Sequence, residues 1–98
     1  MRAKAPTAAQ KRRMDRVASL GCIACLNLFH DYSPALIHHC YAGRKGWRDH
    51  NLILPLCLAH HSTDYSTGFH HDMVGWQKIH GTESDLMAQV QTLLVEVI

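Results

Sequence analysis

The sequence predicts a small α+β fold: a two-stranded unit and a metal knuckle, flanked by a basic N-terminal helix and an amphipathic C-terminal helix. Three observations predict it. Thr7-Ala8-Ala9-Gln10 and Thr82 to Asp85 are helix-start signals, each leading into good helix formers. "ALIHHC" (35–40) and "NLILPL" (51–56) are apolar runs of strand length. Cys22-x-x-Cys25 and Cys57-x-x-His60 are ligand pairs at knuckle spacing.

The elements follow in order. Thr7 caps and Gln10 returns the bond, with Pro6 just before and Gly21 as the stop, so residues 8–20 form a helix. Arg12, Arg13 and Arg16 lie close together on it, because residues three and four apart are neighbours. The Cys22 to Cys25 turn comes next, and residues 26–34 read as loop up to Ser33-Pro34. Two strands follow, joined by the long loop "YAGRKGWRDH". Pro55 makes the second strand short or an edge. Residues 58–66 read as a short helix carrying His60 and His61, and Gly68 breaks it. "HDMVGWQKI" reads as another, ending at Gly81. Leu86, Val90, Leu93 and Val97, with Met87 and Leu94, recur at helical spacing over 83–97. That stripe is core, or in a sharper reading the seam of a dimer.

Composition sets bounds. At 98 residues and 47% hydrophobic, the chain is globular, but its core is small enough to need a metal or another staple. No apolar run approaches the ~20 residues that span a bilayer, and the first residues lack the apolar segment of a secretory signal. An intracellular, cytoplasmic protein is the expectation. There Cys22, Cys25, Cys40 and Cys57 are thiols or thiolate ligands rather than disulfides. Nine of the ten Lys and Arg fall in residues 1–48. They cluster at Lys11, Arg12, Arg13 and Arg16 and at Arg44, Lys45 and Arg48. Such a field suits DNA; the plainer reading is two solvated surfaces.

Two pairs with two-residue gaps make one four-coordinate site, and tetrahedral sulfur and nitrogen donors suit a structural Zn2+. A lone C-x-x-C would also fit a redox motif, but that needs a βαβ context that this chain lacks. Cys40 is left over and reads as a small buried residue. If His60 closes the zinc site, His38, His39, His61, His70 and His71 remain. His30 and His80 read as surface residues, His50 as structural or DNA-facing, and Trp47 as packing on its loop, with stacking on a nucleic-acid base the alternative.

The order "LIHHC…HNLILPLCLAHH" resembles the HNH, or ββα-metal, endonuclease superfamily. It is most similar to the phage recombination-enhancement (Ref-type) nucleases and related small phage HNH proteins. The resemblance implies a ββα-metal core and zinc knuckle over 22–81, between the helices of 1–21 and 82–98, with 1–98 a single nuclease domain. It implies that His38 and His61 ligate a catalytic Mg2+ or similar ion, with His70 as third ligand and His71 its rival. His39 would be the general base, oriented by Asn51. His50, directly before Asn51, is a second candidate for that middle position. Three departures stand out: His60 where many members have Cys, Cys40 where an aliphatic is usual, and that extra His50. Neighbours on a strand point to opposite faces, so different roles suit His38 and His39.

The expected function is metal-dependent hydrolysis of DNA phosphodiester bonds with weak sequence preference. Arg12, Arg13, Arg16, Arg44, Lys45 and Arg48 would contact phosphates, which position but do not specify. The resemblance implies a phage or prophage role in recombination, repair or packaging, with a recombinase or terminase as partner. The alternatives are a zinc-stabilised nucleic-acid-binding module and a recombinase or terminase accessory protein without catalysis of its own. In the nuclease reading the adjacent His60 and His61 bind different metals.

Overall fold

The computed structural model describes residues 5–43 and 48–96. Arg44, Lys45, Trp47 and Val97 lie outside the described residues. The elements are α1 (Ala8–Ser19), α2 (Ile23–Phe29), β1 (Leu36–His39), β2 (Ile53–Leu56), α3 (Leu58–His61), α4 (Met73–His80) and α5 (Glu83–Glu96). The fold is α+β, and β1, β2 and α3 follow one another as a ββα unit. No helix among the described residues is long and apolar enough to cross a membrane.

Helix α1 starts on its predicted capping box. Gln10 N donates to Thr7 Oγ1 at 3.1 Å, and Thr7 N donates to Gln10 Oε1 at 2.9 Å. It ends at Gly21, whose φ of 79° is open to glycine and strained for other residues. The loop expected over 26–34 is instead helical as far as Phe29. The reason is a thiol cap: Cys22 Sγ accepts from Cys25 N at 3.4 Å and starts α2. The new turn buries Ile23, Ala24 and Cys25 before His30 ends it in the left-handed region.

The strands pair antiparallel, with His38 opposite Leu54 and His39 opposite Ile53. Cys40 N donates to Leu52 O at 2.8 Å, which marks that pair as hydrogen-bonded. Alternation along the ladder then makes Ile37 opposite Pro55 a non-hydrogen-bonded pair. Pro55 therefore removes no donor from the ladder, which is how a proline sits inside β2. All four residues of β2 are buried, with α1, α2, α3 and α5 packed around the strand. From α5, Leu86, Val90 and Leu94 enter the core. These three residues of the apolar stripe thus face the chain's own interior.

Helix α3 is one turn, shorter than expected, because the chain folds back on itself after His61. Phe69 N donates to His60 O at 2.8 Å and His70 N to His61 O at 3.2 Å. Gly68 lets the return pass this closely. A Cβ there would collide with the backbone carbonyl of Ser62. Gly68→Ala should lower unfolding free energy by roughly 1–3 kcal/mol, the usual cost of overpacking, in urea denaturation. A value within about 0.5 kcal/mol of wild type would contradict the close approach.

Candidate metal centre and catalytic cleft

Four side chains meet where α2 and α3 begin. Cys22 caps α2 and Cys25 lies in its first turn; Cys57 stands at the N-terminal boundary of α3, without a side-chain cap bond, and His60 lies in its only turn. In each pair the three-residue offset puts both side chains on one helix face. His60 Nδ1 is 3.7 Å from Cys22 Sγ, 3.4 Å from Cys25 Sγ and 3.2 Å from Cys57 Sγ. Cys25 and Cys57 Sγ are 3.8 Å apart. A tetrahedral zinc with bonds of about 2.3 Å to sulfur and 2.0 Å to nitrogen spaces its ligands about 3.5 to 3.8 Å apart. The four residues form a group that could hold zinc.

The protonation energetics agree. Burial, then the charges of Cys22 and Cys57, push the Cys25 thiol up to about 12. Burial likewise raises Cys22 and lowers His60. Cys22 and Cys25 are thus held toward their neutral thiol forms when no cation stands among them. Zinc would supply that charge and displace the protons.

A second group lies on the other side of α3. His61 Nε2 and His70 Nε2 are 3.1 Å apart, and their ligand atoms and that of His38 lie within 4.8 Å of one another. His38 is buried on β1, and its ring packs 4.5 Å from that of Phe69. Its Nδ1 is buried with no hydrogen-bond partner among the described residues. Burial, then the nearby charges of His38 and His70, lowers His61 to about 4. At neutral pH that ring is uncharged, which is the form that ligates a metal. Three imidazoles suit a transition ion better than Mg2+, which takes oxygen ligands. The donor set therefore fits a divalent metal but does not single out magnesium.

The other nitrogen of His38, Nε2, lies 2.8 Å from Oε2 of Glu83. Glu83 opens α5 and is 3% exposed. Its carboxylate also accepts from Tyr41 N at 3.0 Å and Ala42 N at 2.9 Å. Burial pushes this carboxyl up, but the bonds from His38 and the two amides outweigh it and hold it below the usual range. Sequence reading missed Glu83. An acid in a first helical turn is an ordinary helix-dipole residue, and nothing local ties it to a histidine 45 positions away. Cys40, fully buried as expected, converges with His38 and Glu83 in a further group within 4.8 Å.

His38, His39, Tyr41, Arg48, His61, His70 and Ile37 line one cleft of about 130 Å³. His39 and His38 thus reach the same hollow at the end of β1. His39 Nε2 is 3.0 Å from His50 Nδ1. Asn51 is exposed: its N–H bonds to Asp49 Oδ1 and its carbonyl accepts from Arg13 Nη1. Among the described residues no hydrogen bond joins its side chain to His39. His71 lies apart, with Nδ1 3.3 Å from Thr63 O. His80 is half-buried, where a surface residue with no partner was expected; its ring packs 4.4 Å from Trp76 and 5.5 Å from His60. Arg12, Arg13 and Arg16 line a separate groove of about 400 Å³ between α1 and α5.

Elemental analysis of purified protein should find about one tightly held zinc per chain, by the four-ligand argument. Cys57→Ala should lose that zinc and lower the unfolding temperature. A variant that keeps both would contradict the cluster.

No curated protein matches this chain. A family model described as "recombination enhancement, RecA-dependent nuclease" matches residues 6–94, a span that includes both histidine groups and all four cysteines. By that match the chain belongs to the recombination-enhancement, RecA-dependent nuclease family.

Proposed function

We propose that this chain is a metal-dependent DNA endonuclease of HNH (ββα-metal) type. The carrying observation is the convergence of His38, His61 and His70 beside His39 at one cleft. A divalent ion held by the three histidines would supply a Lewis acid for the phosphoryl oxygen and support for the leaving oxygen. His38, His61 and His70 bind through neutral imidazole nitrogens. His39 takes a proton from the attacking water as general base. A neutral imidazole carries one N–H, so the 3.0 Å contact can hold one proton between His39 Nε2 and His50 Nδ1. That contact orients the ring, a role the HNH order would give to Asn51. Arg48, at the rim, meets a phosphate.

Cys22, Cys25, Cys57 and His60 hold a structural zinc that ties α2 to α3. The 98 residues work as one nuclease domain in the cytoplasm, that of the bacterial host if the chain is phage-encoded. The family's description favours a recombinase partner over a terminase. DNA held on RecA is therefore the substrate to test first.

The assay compares naked duplex, single strands and RecA-coated DNA, each with Mg2+, Mn2+, Co2+ or EDTA. His39→Ala should cut at least about 100-fold more slowly, the scale of a missing general base. His50→Ala should cost more than Asn51→Ala. Undiminished cutting by His39→Ala would remove it as base. Binding without cutting in every condition would favour a non-catalytic zinc module.

The arginines make a separate prediction. Replacing Arg12, Arg13 and Arg16 by alanine should weaken duplex binding. It should also flatten the slope of log affinity against log salt, by about 0.9 for each phosphate no longer neutralised. An unchanged slope would take α1 out of the interface.

A further inference from the structure

The His38 ring has two nitrogens and one site for each. Nε2 faces Glu83 at 2.8 Å. An ionised carboxylate can only accept, so Nε2 must carry the hydrogen. In the neutral ring the lone pair then falls on Nδ1, the buried nitrogen without a partner. A buried acceptor left unpaired is costly unless something binds it. Ligand atoms of His61 and His70 stand within 4.8 Å of a ring nitrogen of His38, and with Nε2 engaged by Glu83 it is Nδ1 that is left to join them around an ion.

We propose that Glu83 is the positioning residue of the three-histidine site: it fixes His38 as the Nε2–H tautomer and thereby makes Nδ1 the ligand atom. The proposal rests on reading His38, His61 and His70 as a divalent-metal site. A carboxylate behind a ligating histidine locks the ring and raises its basicity. Glu83 is itself locked, by the amides of Tyr41 and Ala42 and by its place at the start of α5. Helix α5 therefore belongs to the chemistry of the cleft as well as to the core. Its first residue reaches across to the end of β1, and Leu86, Val90 and Leu94 hold that residue in place.

The test uses zinc-loaded full chain. Long-range 1H–15N NMR on histidine-labelled protein reads the tautomer of His38 directly. The Nε2–H form is expected; the Nδ1–H form would overturn the proposal whatever any variant does. Co2+ is then titrated by its visible absorption. His38→Ala should abolish binding at this site. Glu83→Gln, nearly isosteric, should weaken it about 10- to 100-fold, with zinc content and unfolding temperature unchanged. A role confined to folding would move the unfolding temperature and leave the affinity of folded protein alone. If His38→Ala binds Co2+ like wild type, the three-histidine reading fails. If His38→Ala loses binding but Glu83→Gln keeps it, the site stands and the role of Glu83 fails. A thiolate-to-cobalt band that disappears in Cys40→Ala would put the ion on His38, Cys40 and Glu83, and would also overturn the proposal.

Discussion

One turn of helix organises this molecule. Successive residues of an α-helix point about 100° apart, since it has about 3.6 residues per turn. In α3 that divergence sends His60 to the three cysteines and His61 to His38 and His70. No longer element separates the two groups, so they are coupled by geometry. Any change that unwinds α3 must disturb both at once. A zinc at the cysteines would fix α3 rigidly at its N-terminal end, where a helix of four residues has little stability of its own.

The second constraint comes from the far end of the chain. Glu83 joins α5 to the end of β1 through His38 and through two backbone amides. Between these two ties, the β-hairpin is held from both sides. β2 is the buried centre and β1 presents histidines to the cleft. Burial does the chemical tuning here. It raises the thiols of Cys22 and Cys25 and lowers His60 and His61, so that each of these groups favours its neutral form.

Local signals made much of this legible. The capping box, the two apolar runs and the stripe of α5 each carry their evidence within a few residues. The grouping of Cys22, Cys25, Cys57 and His60, which could hold zinc, was legible from spacing, because knuckle geometry is also local. Helix α2 was hidden because its cap is a thiol rather than one of the usual hydroxyl or amide side chains. His50 against Asn51 was a choice between neighbours. The turn at Asp49 bonds both Asn51 N and Leu52 N and leaves Asn51 exposed, while the ring of His50 lies against that of His39. The return pairing of His70 N with His61 O sets the ring of His70, and not that of His71, beside His61. The ring contact of His80 was not legible because it depends on Trp76, one helical turn earlier and already buried. Glu83 was out of reach altogether, since its partner lies in another part of the chain.

The whole scheme turns on adjacent histidines serving two separate metal groups. Anomalous diffraction from a crystal of zinc-loaded protein soaked in Co2+, collected at both absorption edges, is the decisive measurement. Two distinct peaks are expected: zinc bonded to His60 Nδ1 and three sulfurs, cobalt bonded to His61 Nε2, His70 Nε2 and His38 Nδ1. A single peak, or one ion bonded to both His60 and His61, would refute it.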